Sequence, residues 1–500
     1  MSLWSLPHKT QLFVLMLARL TDSLTAHSIH SYMFFQIRHF NPNAPVATII
    51  TQCGLLVGAK TAAHVCTGLV WGRLADSALK SRKIVLVVGL LASSVVTVGY
   101  GFSTTFPQAI AWQMLDGALN ANVAMARCMT AELQPEKSHR VRAFTLLPLF
   151  ANFGAVLGPL IGGFLSSANT QHSIVPGYPY AMPNICVAAI EAMVAIAVLV
   201  SVTDSFRDDQ KKRSEPSFAT APADSTGLAK STVEEDVNET TALLHSDPAV
   251  AGNHETRIGS VHPDFSTMPF KAIWTPNVLR TMFAQFVIVG HLGTFATLWA
   301  LLLSLPVASS RIEHPLFHFS GGLGLQPHTV GFVLSAFGLA GIFLQILVYP
   351  GLQERWGTIR VWRGALYLFP IVYFIAPFCA LVPLLGRNAG PRDSGLYAFI
   401  QWSALLSVLI LFAAGRTGVV PATSLLINEC TPHASVRGTI HTTGVICSNL
   451  SKSVFPPMAL AVMGYGLQNG VVGLGFWFVA ILALLSIVAS IQVREGTNGE

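Results

Sequence analysis

Charged residues are scarce in this chain of 500 residues: Asp, Glu, Lys and Arg make up only 11% of it, against 52% hydrophobic residues. A single soluble core cannot bury that much apolar surface, and this excludes a water-soluble enzyme. Lys and Arg exceed Asp and Glu by a net charge of +6. Because membrane topology accounts for this excess, the charge gives no support to nucleic-acid binding.

Patterns that define other classes of protein are also missing. The 7 cysteines, at positions 53, 66, 128, 186, 379, 430 and 447, have no paired spacing, so we interpret them as packing residues and expect no disulfides. No Gly-x-x-x-x-Gly-Lys-Ser/Thr loop is present to bind nucleotide phosphates, which favours an ion gradient as the energy source. The N-terminus lacks a short apolar core followed by a small-residue cleavage site, so the first apolar segment is expected to be retained. We expect no cofactor.

Long apolar segments, in contrast, fill the chain. A hydrocarbon layer roughly 30 Å thick needs about 20 helical residues, and segments of this length recur throughout. They lack the alternation of a membrane β-barrel, so we predict an all-α membrane protein with 12 transmembrane helices in two pseudo-symmetric six-helix halves. The predicted spans 1 to 12 are Thr10–Phe34, Val46–Trp71, Ile84–Phe102, Ala109–Thr130, Phe144–Leu165, Asn184–Val202, Leu279–Leu303, Thr329–Tyr349, Val361–Leu385, Leu396–Val420, Ile440–Tyr465 and Val472–Ile491.

A polar insert divides the spans six and six. Residues 204–270 are rich in Ser, Thr, Asp, Glu, Lys and Pro, which predicts a disordered cytosolic linker between an N-terminal half (1–203) and a C-terminal half (271–500). Within it, Glu239-Thr-Thr-Ala-Leu243-Leu244 has the form of an acidic dileucine signal, which sorting adaptors bind as an exposed peptide. Either this segment directs the protein to endosomal or vacuolar membranes, or the match is due to chance.

The distribution of Lys and Arg predicts the orientation. Under this topology most basic residues lie on one side, whereas the opposite loops hold only Arg38, Arg311, Arg387 and Arg392. Basic residues concentrate on the cytoplasmic side of membrane proteins, so we expect both termini and the insert in the cytosol. The membrane is expected to be the cell membrane or the vacuolar membrane.

The two halves share a local repeat. An offset of 297 residues aligns segment 132–140 with segment 429–437, because both read Glu-x-x-Pro-x-x-x-x-Arg, and it also aligns Asn152 with Asn449. Such a match is expected of a duplicated unit. Six plus six spans with a parallel repeat is an arrangement that transporters use, with the substrate site at mid-membrane between the halves.

The loop after span 2 carries the first of three motifs. It reads Gly72-Arg-Leu-Ala-Asp76-Ser-Ala-Leu-Lys-Ser-Arg82-Lys83, and it resembles the Gly-x-Leu-x-Asp-Arg-x-Gly-Arg-Lys signature of the major facilitator superfamily, with Ser77 at the expected basic position. The resemblance implies a gate in which a carboxylate at a helix end meets several cations. The alternative is a basic loop that only sets topology.

Two further segments resemble the same superfamily. Arg19-Leu-Thr-Asp22 in span 1 resembles the Arg-x-x-Glu/Asp segment of its fungal drug/proton antiporter-like and zinc-induced-facilitator-like branch. Arg355-Trp-Gly357, after span 8, resembles the second-half version of the loop signature. The resemblance therefore covers both halves and leaves only the insert outside it.

Span 5 contains the most specific motif, Gly154-Ala-Val-Leu-Gly158-Pro159-Leu-Ile-Gly162-Gly163. It matches the Gly-x-x-x-Gly-Pro-x-x-Gly-Gly signature of exporters in this superfamily, which implies antiport or export. Glycines four residues apart form a flat stripe where another helix can approach, and proline bends the span. Close packing alone, with no bearing on the direction of transport, is the alternative.

Asp22 is the first candidate for proton coupling. It lies about 12 residues into span 1, or about 18 Å along the helix, which places it near the bilayer centre. An ionisable residue at that depth is costly and indicates function, with Arg19 and Lys60 as its possible partners. If Asp22 exchanges a proton, proton and substrate compete for one site; otherwise Arg19 and Asp22 form a permanent structural pair.

Other polar residues are candidates for the same cavity. Asp116 in span 4 is the second coupling candidate, with Gln113 one turn away. His291 in span 7 and Gln401 in span 10 are candidates for the second half of the cavity, although such side chains often only satisfy one another between helices.

These observations predict a secondary transporter that exports a small organic compound, such as a drug-like molecule or secondary metabolite, in exchange for protons. His27 and His30 are too few for a metal site, and no metal is predicted. The alternatives are a uniporter, a vacuolar transporter of a small metabolite or metal chelate, and a non-transporting receptor on the same fold.

Overall fold

The computed structural model describes residues 7–77, 82–120, 122–134, 136–166, 175–203, 273–308, 317–386, 394–432 and 437–494. Its helices are numbered after the predicted spans. They are α1 Lys9–Phe40, α2 Val46–Ser77, α3 Arg82–Gly101, α4a Phe106–Leu119, α4b Asn122–Leu133, α5 Lys137–Leu165, α6 Ala181–Ser201, α7 Pro276–Ser304, α8 Pro327–Trp356, α9 (Thr358–Leu366, Leu368–Ile375, a 3-10 turn Ala376–Ala380 and Leu381–Gly386), α10 Ser394–Glu429, α11 Arg437–Gln468 and α12 Leu474–Ile491.

The predicted twelve-helix architecture is confirmed, with one correction in span 4. In the described residues, 11 helices are long and apolar enough to cross a membrane, whereas span 4 is divided between Leu119 and Asn122. Next to the division, the Asn120 Oδ1 atom accepts a hydrogen bond from the backbone N–H of Asn122 at 3.2 Å. Local bonds of this kind compete with helical hydrogen bonds, so the prediction of a continuous helix over Ala109–Thr130 is wrong at this point.

The two halves meet along two equivalent seams, where α2 packs against α11 and α5 packs against α8. Because α5 and α11 hold the same place in their halves, as do α2 and α8, the seams repeat each other. Glycine allows close approach in both. A Cβ at Gly58 would overlap Pro457, and a Cβ at Gly331 would overlap the Pro159 carbonyl oxygen.

The close contacts of these seams lie toward one face of the bundle. Helix α1 begins and α12 ends at the face that we call the terminus face; the opposite one is the far face. Near the far face, the helices approach at Gly464 against Ala47 and at Gly163 against Pro327. Toward the terminus face, a Cβ at Gly68 of α2 would meet no atom within 4 Å. The halves are therefore joined at the far face.

The interior of the C-terminal half is aromatic. The Phe295 ring of α7 contacts four other rings, with centroid separations from 4.4 to 6.1 Å. These rings belong to Trp299, Tyr373, Phe412 and Phe476. Offset and edge-to-face arrangements of this kind add to the stabilisation that burial provides.

Candidate functional site

Polar groups of the N-terminal half meet at mid-depth, beginning with the pair on α1. The Arg19 Nη1 atom lies 2.7 Å from Asp22 Oδ2, and the two side chains are 20% and 24% exposed. The other carboxylate oxygen of Asp22 accepts a hydrogen bond from Asn120 Nδ2 at 3.1 Å. The division of α4 thus supplies Asp22 with a second partner, Asn120, that the sequence analysis missed. Because the pair is part-exposed, it borders open space.

A second ion pair joins α2 to α4a. Lys60 Nζ contacts Asp116 Oδ2, and Ser93 Oγ donates to Asp116 Oδ1 at 3.1 Å. The Asp116 side chain is 3% exposed, so this carboxylate is enclosed by its partners. Gly117 permits the contact, because a Cβ there would overlap the Lys60 carbonyl oxygen. The sequence proposed Lys60 as a partner of Asp22; in the structure its ion pair is with Asp116.

The third carboxyl group, Glu191 of α6, is surrounded by hydroxyls. Thr25 Oγ1 lies 2.5 Å and Ser93 Oγ 3.3 Å from Glu191 Oε1, while Thr97 Oγ1 lies 3.4 Å from Oε2. Ser93 also contacts Asp116, but a hydroxyl has a single hydrogen to donate. Ser93 therefore connects the two carboxyl groups, and only one of them can receive its hydrogen at a time.

Three further cations face the same space. Arg127 of α4b and Lys452 of α11 have exposed side chains, and that of Arg416 of α10 is partly exposed, although all three helices are packed into the bundle. Electrostatic interactions link Lys452 with Arg127, with Arg416 and with the Arg19–Asp22 pair. Charges from both halves thus face one interior cleft. Sequence reasoning did not single out any of the three.

The histidines of α1 lie beside this cleft. The Nδ1 atom of His27 is 2.7 Å from the Ser23 carbonyl oxygen, and the rings of His27 and His30 are 6.0 Å apart. Within the described ranges, no group of three or more His, Cys, Asp and Glu side chains is arranged to hold a metal ion.

The remaining cavity candidates are dispersed. Gln113 is buried on α4a. His291 is fully buried in the aromatic interior of the C-terminal half, where its Nδ1 atom lies 2.8 Å from the Tyr373 hydroxyl. Gln401 is half-buried on α10, fifteen residues before Arg416, which corresponds to about 22 Å along a helix. The structure therefore does not bring His291 and Gln401 to the ion pairs of the N-terminal half.

The residues of the gating loop are partly described. Gly72 and Asp76 lie in the last turns of α2, and the side chain of Asp76 lies outside the part of the chain that the structure describes. Arg82 forms an ion pair with Glu132, which ties the start of α3 to the end of α4b. Lys83 follows it and is half-buried. Arg82 and Lys83 thus lie at the terminus face.

Arg355 and Gly357 of the second-half motif also lie at the terminus face. Arg355 is exposed in the last turn of α8, and Gly357 ends that helix with φ 75°, a left-handed conformation that favours glycine. The sorting segment with Glu239, Leu243 and Leu244 lies outside the described residues.

The glycine motif of α5 packs on two neighbours. A Cβ at Gly154, Gly158 or Gly162 would lie within 2.6 Å of a carbonyl oxygen of α1. Those oxygens belong to Leu20, Leu24 and Ser28 respectively. A Cβ at Gly163 would instead lie 2.6 Å from the Pro327 carbonyl oxygen of α8. The motif therefore positions the helix that carries Asp22 and forms part of the seam between the halves.

Two pseudo-symmetric helical halves around a charged interior cleft define a membrane transporter fold. The sequence profile described as Major Facilitator Superfamily matches residues 13–320, more than half of the chain. The protein belongs to the Major Facilitator Superfamily and is a multi-pass membrane transporter of this type.

Named relatives and a solved structure agree with this assignment. The chain is 24% identical to the Major facilitator superfamily multidrug transporter mfsB of Aspergillus fumigatus, over 98% of this chain and 84% of the relative. It is 21% identical to Protein ZINC INDUCED FACILITATOR 1 of Arabidopsis thaliana, over 87% and 80%. The crystal structure of a D-xylose-proton symporter superimposes with a TM-score of 0.63 at 13% identity, covering 97% of this chain and 98% of the other. That likeness shows the fold. The resemblance inferred from the motifs is thus confirmed.

Proposed function

We propose that the protein exports a small organic compound in exchange for protons, by alternating access. The observation that carries this proposal is the set of three carboxyl groups at mid-depth, which lie in three different surroundings. Asp22 forms an ion pair with a part-exposed arginine, and Asp116 forms one with a lysine. Among the described residues, only hydroxyl groups form hydrogen bonds with Glu191. Carboxyl groups in such different surroundings bind protons with different affinities, as a proton relay requires.

Hydrogen-bond geometry supports a proton on Glu191. Thr25 Oγ1 can donate to the Thr21 carbonyl oxygen at 3.0 Å, and Ser93 can donate to Asp116. With both hydroxyl hydrogens so used, a protonated Glu191 donates to Thr25 and every group is satisfied. When Glu191 loses its proton, the hydroxyls must turn toward it and the Asp116 contact is released.

In this proposal, substrate and proton compete for binding at Asp22. Its pair with Arg19 is part-exposed to the cleft, so the space beside it is accessible to a substrate. Protonation of Asp22 weakens its attraction to Arg19 and to nearby Lys60. A hydrogen-bond donor of the substrate that binds the ionised Asp22 carboxylate is displaced when Asp22 takes up a proton, so substrate and proton are exchanged.

The two halves move against each other along the two seams. Closure at the far face and an opening toward the terminus face is one end state of alternating access. The basic loops of the terminus face support a cytosolic location for that face and for both termini. In this orientation the cleft receives its substrate from the cytosol, as an exporter requires.

The decisive experiment reconstitutes the full chain in vesicles loaded with a pH-sensitive dye. Addition of a transported compound should change the internal pH, and an imposed proton gradient should drive the compound uphill. Asp22→Asn should abolish uphill accumulation and retain exchange at equal pH. Glu354→Gln, an exposed carboxylate at the end of α8, is the matched control and should behave as wild type. Uphill transport by Asp22→Asn at the wild-type rate would remove Asp22 from the coupling role.

Other functions on the same fold give different results in this assay. A uniporter, including a vacuolar transporter of a small metabolite or metal chelate, would move its compound without any change of internal pH. A receptor would bind a ligand without flux. The membrane itself, cell surface or vacuole, is tested by imaging cells that express Leu243→Ala/Leu244→Ala, since loss of adaptor binding would move the protein from the vacuole to the cell surface.

A further inference from the structure

The charges in the interior cleft do not balance. At mid-depth the described helices place five cations, Arg19, Lys60, Arg127, Arg416 and Lys452, against three carboxyl groups, Asp22, Asp116 and Glu191. Two of the cations are neutralised by ion pairs, Arg19 with Asp22 and Lys60 with Asp116. The third carboxyl group is contacted by hydroxyls. Three cations are therefore left over.

The surplus cations have no ion pair or hydrogen bond among the described residues. Lys452 and Arg127 are drawn electrostatically to Asp22, which already has Arg19 and Asn120 as closer partners. Arg416 lies beside no described carboxylate. An unpaired cation inside a membrane protein is costly unless water or a ligand of opposite charge reaches it.

These three cations differ in their position from cations that have a structural role. Lys452 lies near the middle of α11 and is exposed to the cleft, whereas Arg363 of α9 is fixed by bonds to the carbonyl oxygens of Ser490, Ile491 and Val493. The free cations also come from both halves, Arg127 from one and Arg416 and Lys452 from the other. A ligand that binds all three bridges the two halves that must move during transport.

The surroundings of Arg416 indicate what else the ligand contains. The guanidinium carbon lies 5.7 Å from the centroid of the Phe337 ring, whose other neighbour is Phe412 at 5.1 Å. A carboxylate or sulfonate that binds Arg416 therefore brings its carbon skeleton against an aromatic surface. Inorganic anions lack the apolar part that would use this surface.

We propose that the transported compound is an organic anion with an aromatic or apolar skeleton, bound between Arg416, Lys452 and Arg127. This inference rests on the proposed function and specifies its substrate class. The anion neutralises the surplus charge of the cleft.

Binding can be measured independently of transport. The full chain in nanodiscs of neutral phosphatidylcholine is titrated against two xanthene dyes of similar shape, anionic fluorescein and cationic rhodamine 123, by fluorescence anisotropy. We expect fluorescein to bind about tenfold or more tightly than rhodamine 123, the magnitude of one unscreened charge-assisted contact. Equal affinities, a preference for rhodamine 123, or binding of neither dye would overturn the proposal.

Variants then test the named cations. Arg416→Gln and Lys452→Gln should each weaken fluorescein binding about tenfold, whereas Lys452→Arg should keep most of it. Lys452→Glu should reverse the preference toward rhodamine 123, a gain that a misfolded protein cannot give. Arg280→Gln, an exposed cation at the start of α7, is the control and should bind as wild type. Unchanged fluorescein binding in both glutamine variants would also overturn the proposal.

The two proposals fail in different ways. If fluorescein binds with the expected dependence on charge but is not accumulated against its gradient in vesicles, proton-coupled export fails while the anion site stands. If another compound drives proton exchange but fluorescein does not bind, the transport proposal stands and the substrate class fails.

Discussion

The two halves of the bundle share a plan but fill their interiors with different chemistry. The N-terminal half places Asp22, Asp116 and Glu191 at mid-depth, whereas α7–α12 contain carboxylates only near helix ends, at Glu354 and Glu429. In the C-terminal half the corresponding volume holds stacked aromatic rings. The duplicated fold thus encloses carboxyl groups in one half and packed aromatic rings in the other.

The hydroxyl groups show the same difference. In the N-terminal half, Thr25, Ser93 and Thr97 reach across helices to carboxyl groups. In the C-terminal half, Thr294 and Thr297 donate to carbonyl oxygens one turn earlier in their own helix. Side chains that satisfy their own backbone add little between helices. Under the proposed function, the N-terminal half binds the protons, and the C-terminal half contributes cations and a rigid aromatic interior.

The largest loss of stability is expected when a ring is removed from the aromatic interior of the C-terminal half. Phe295→Ala removes the ring at the centre of that cluster, which is 1% exposed, and should lower the free energy of unfolding by about 3–5 kcal/mol. An SDS titration of the purified protein measures this loss. Proton exchange per folded molecule should stay near wild type. A selective loss of proton coupling in this variant would contradict the assignment of proton binding to the N-terminal half.

A second large effect is expected at the ion pair of the N-terminal half. Lys60→Met leaves the enclosed Asp116 carboxylate without its cation and should cost about 3 kcal/mol, because an uncompensated buried charge is strongly destabilising. The double variant Lys60→Met/Asp116→Asn should recover most of this stability in the same titration and remain inactive in gradient-driven transport. Failure of the second substitution to restore stability would show that the lysine acts through packing rather than charge.

Hydropathy and periodicity predicted the membrane class and the twelve spans, because each span must satisfy its backbone within itself and expose apolar side chains to lipid. The break in span 4 escaped prediction. Its cause is the side chain of Asn120, which bonds to the backbone of Asn122 and to Asp22. Asn120 and Asn122 lie in an otherwise apolar segment, and their sequence carries no signal that distinguishes such a break from ordinary buried amides.

The candidate site was predicted in part, for reasons of geometry. Asp22 with Arg19, and Asp116, were identifiable because a charge in a span is unusual. The ion-pair partner of Lys60 could not be predicted, because it depends on where α2 and α4a cross and the spacing of residues in the sequence does not determine that crossing. Arg416 and Lys452 had the same signal as Asp22 and were overlooked, whereas His291 proved to be part of the aromatic interior.

A moderate effect is expected at the glycine stripe that joins α5 to α1. A Cβ at Gly158 would lie 2.6 Å from the Leu24 carbonyl oxygen, so Gly158→Ala must push the helices apart and should cost about 1–3 kcal/mol. Gly341→Ala in α8 is the control, since its Cβ would meet no atom within 4 Å and stability should be unchanged or slightly higher. Equal effects at both positions would mean that the stripe is not a packing surface.

The smallest and most specific effect separates the hydroxyls of the two halves. Thr25→Val removes the group 2.5 Å from Glu191 Oε1 and should cost about 1 kcal/mol. Glu191 carries the proton in our proposal, so loss of the Thr25 hydroxyl should also shift the pH dependence of transport. Thr294→Val removes a hydroxyl bonded to the Gly290 carbonyl oxygen of its own helix, and should change stability by less than about 0.5 kcal/mol with an unaltered pH profile. Both substitutions are nearly isosteric, so a difference in the pH profile reports the chemistry of the two interiors rather than their packing. Identical profiles would place the proton-binding step elsewhere than Glu191.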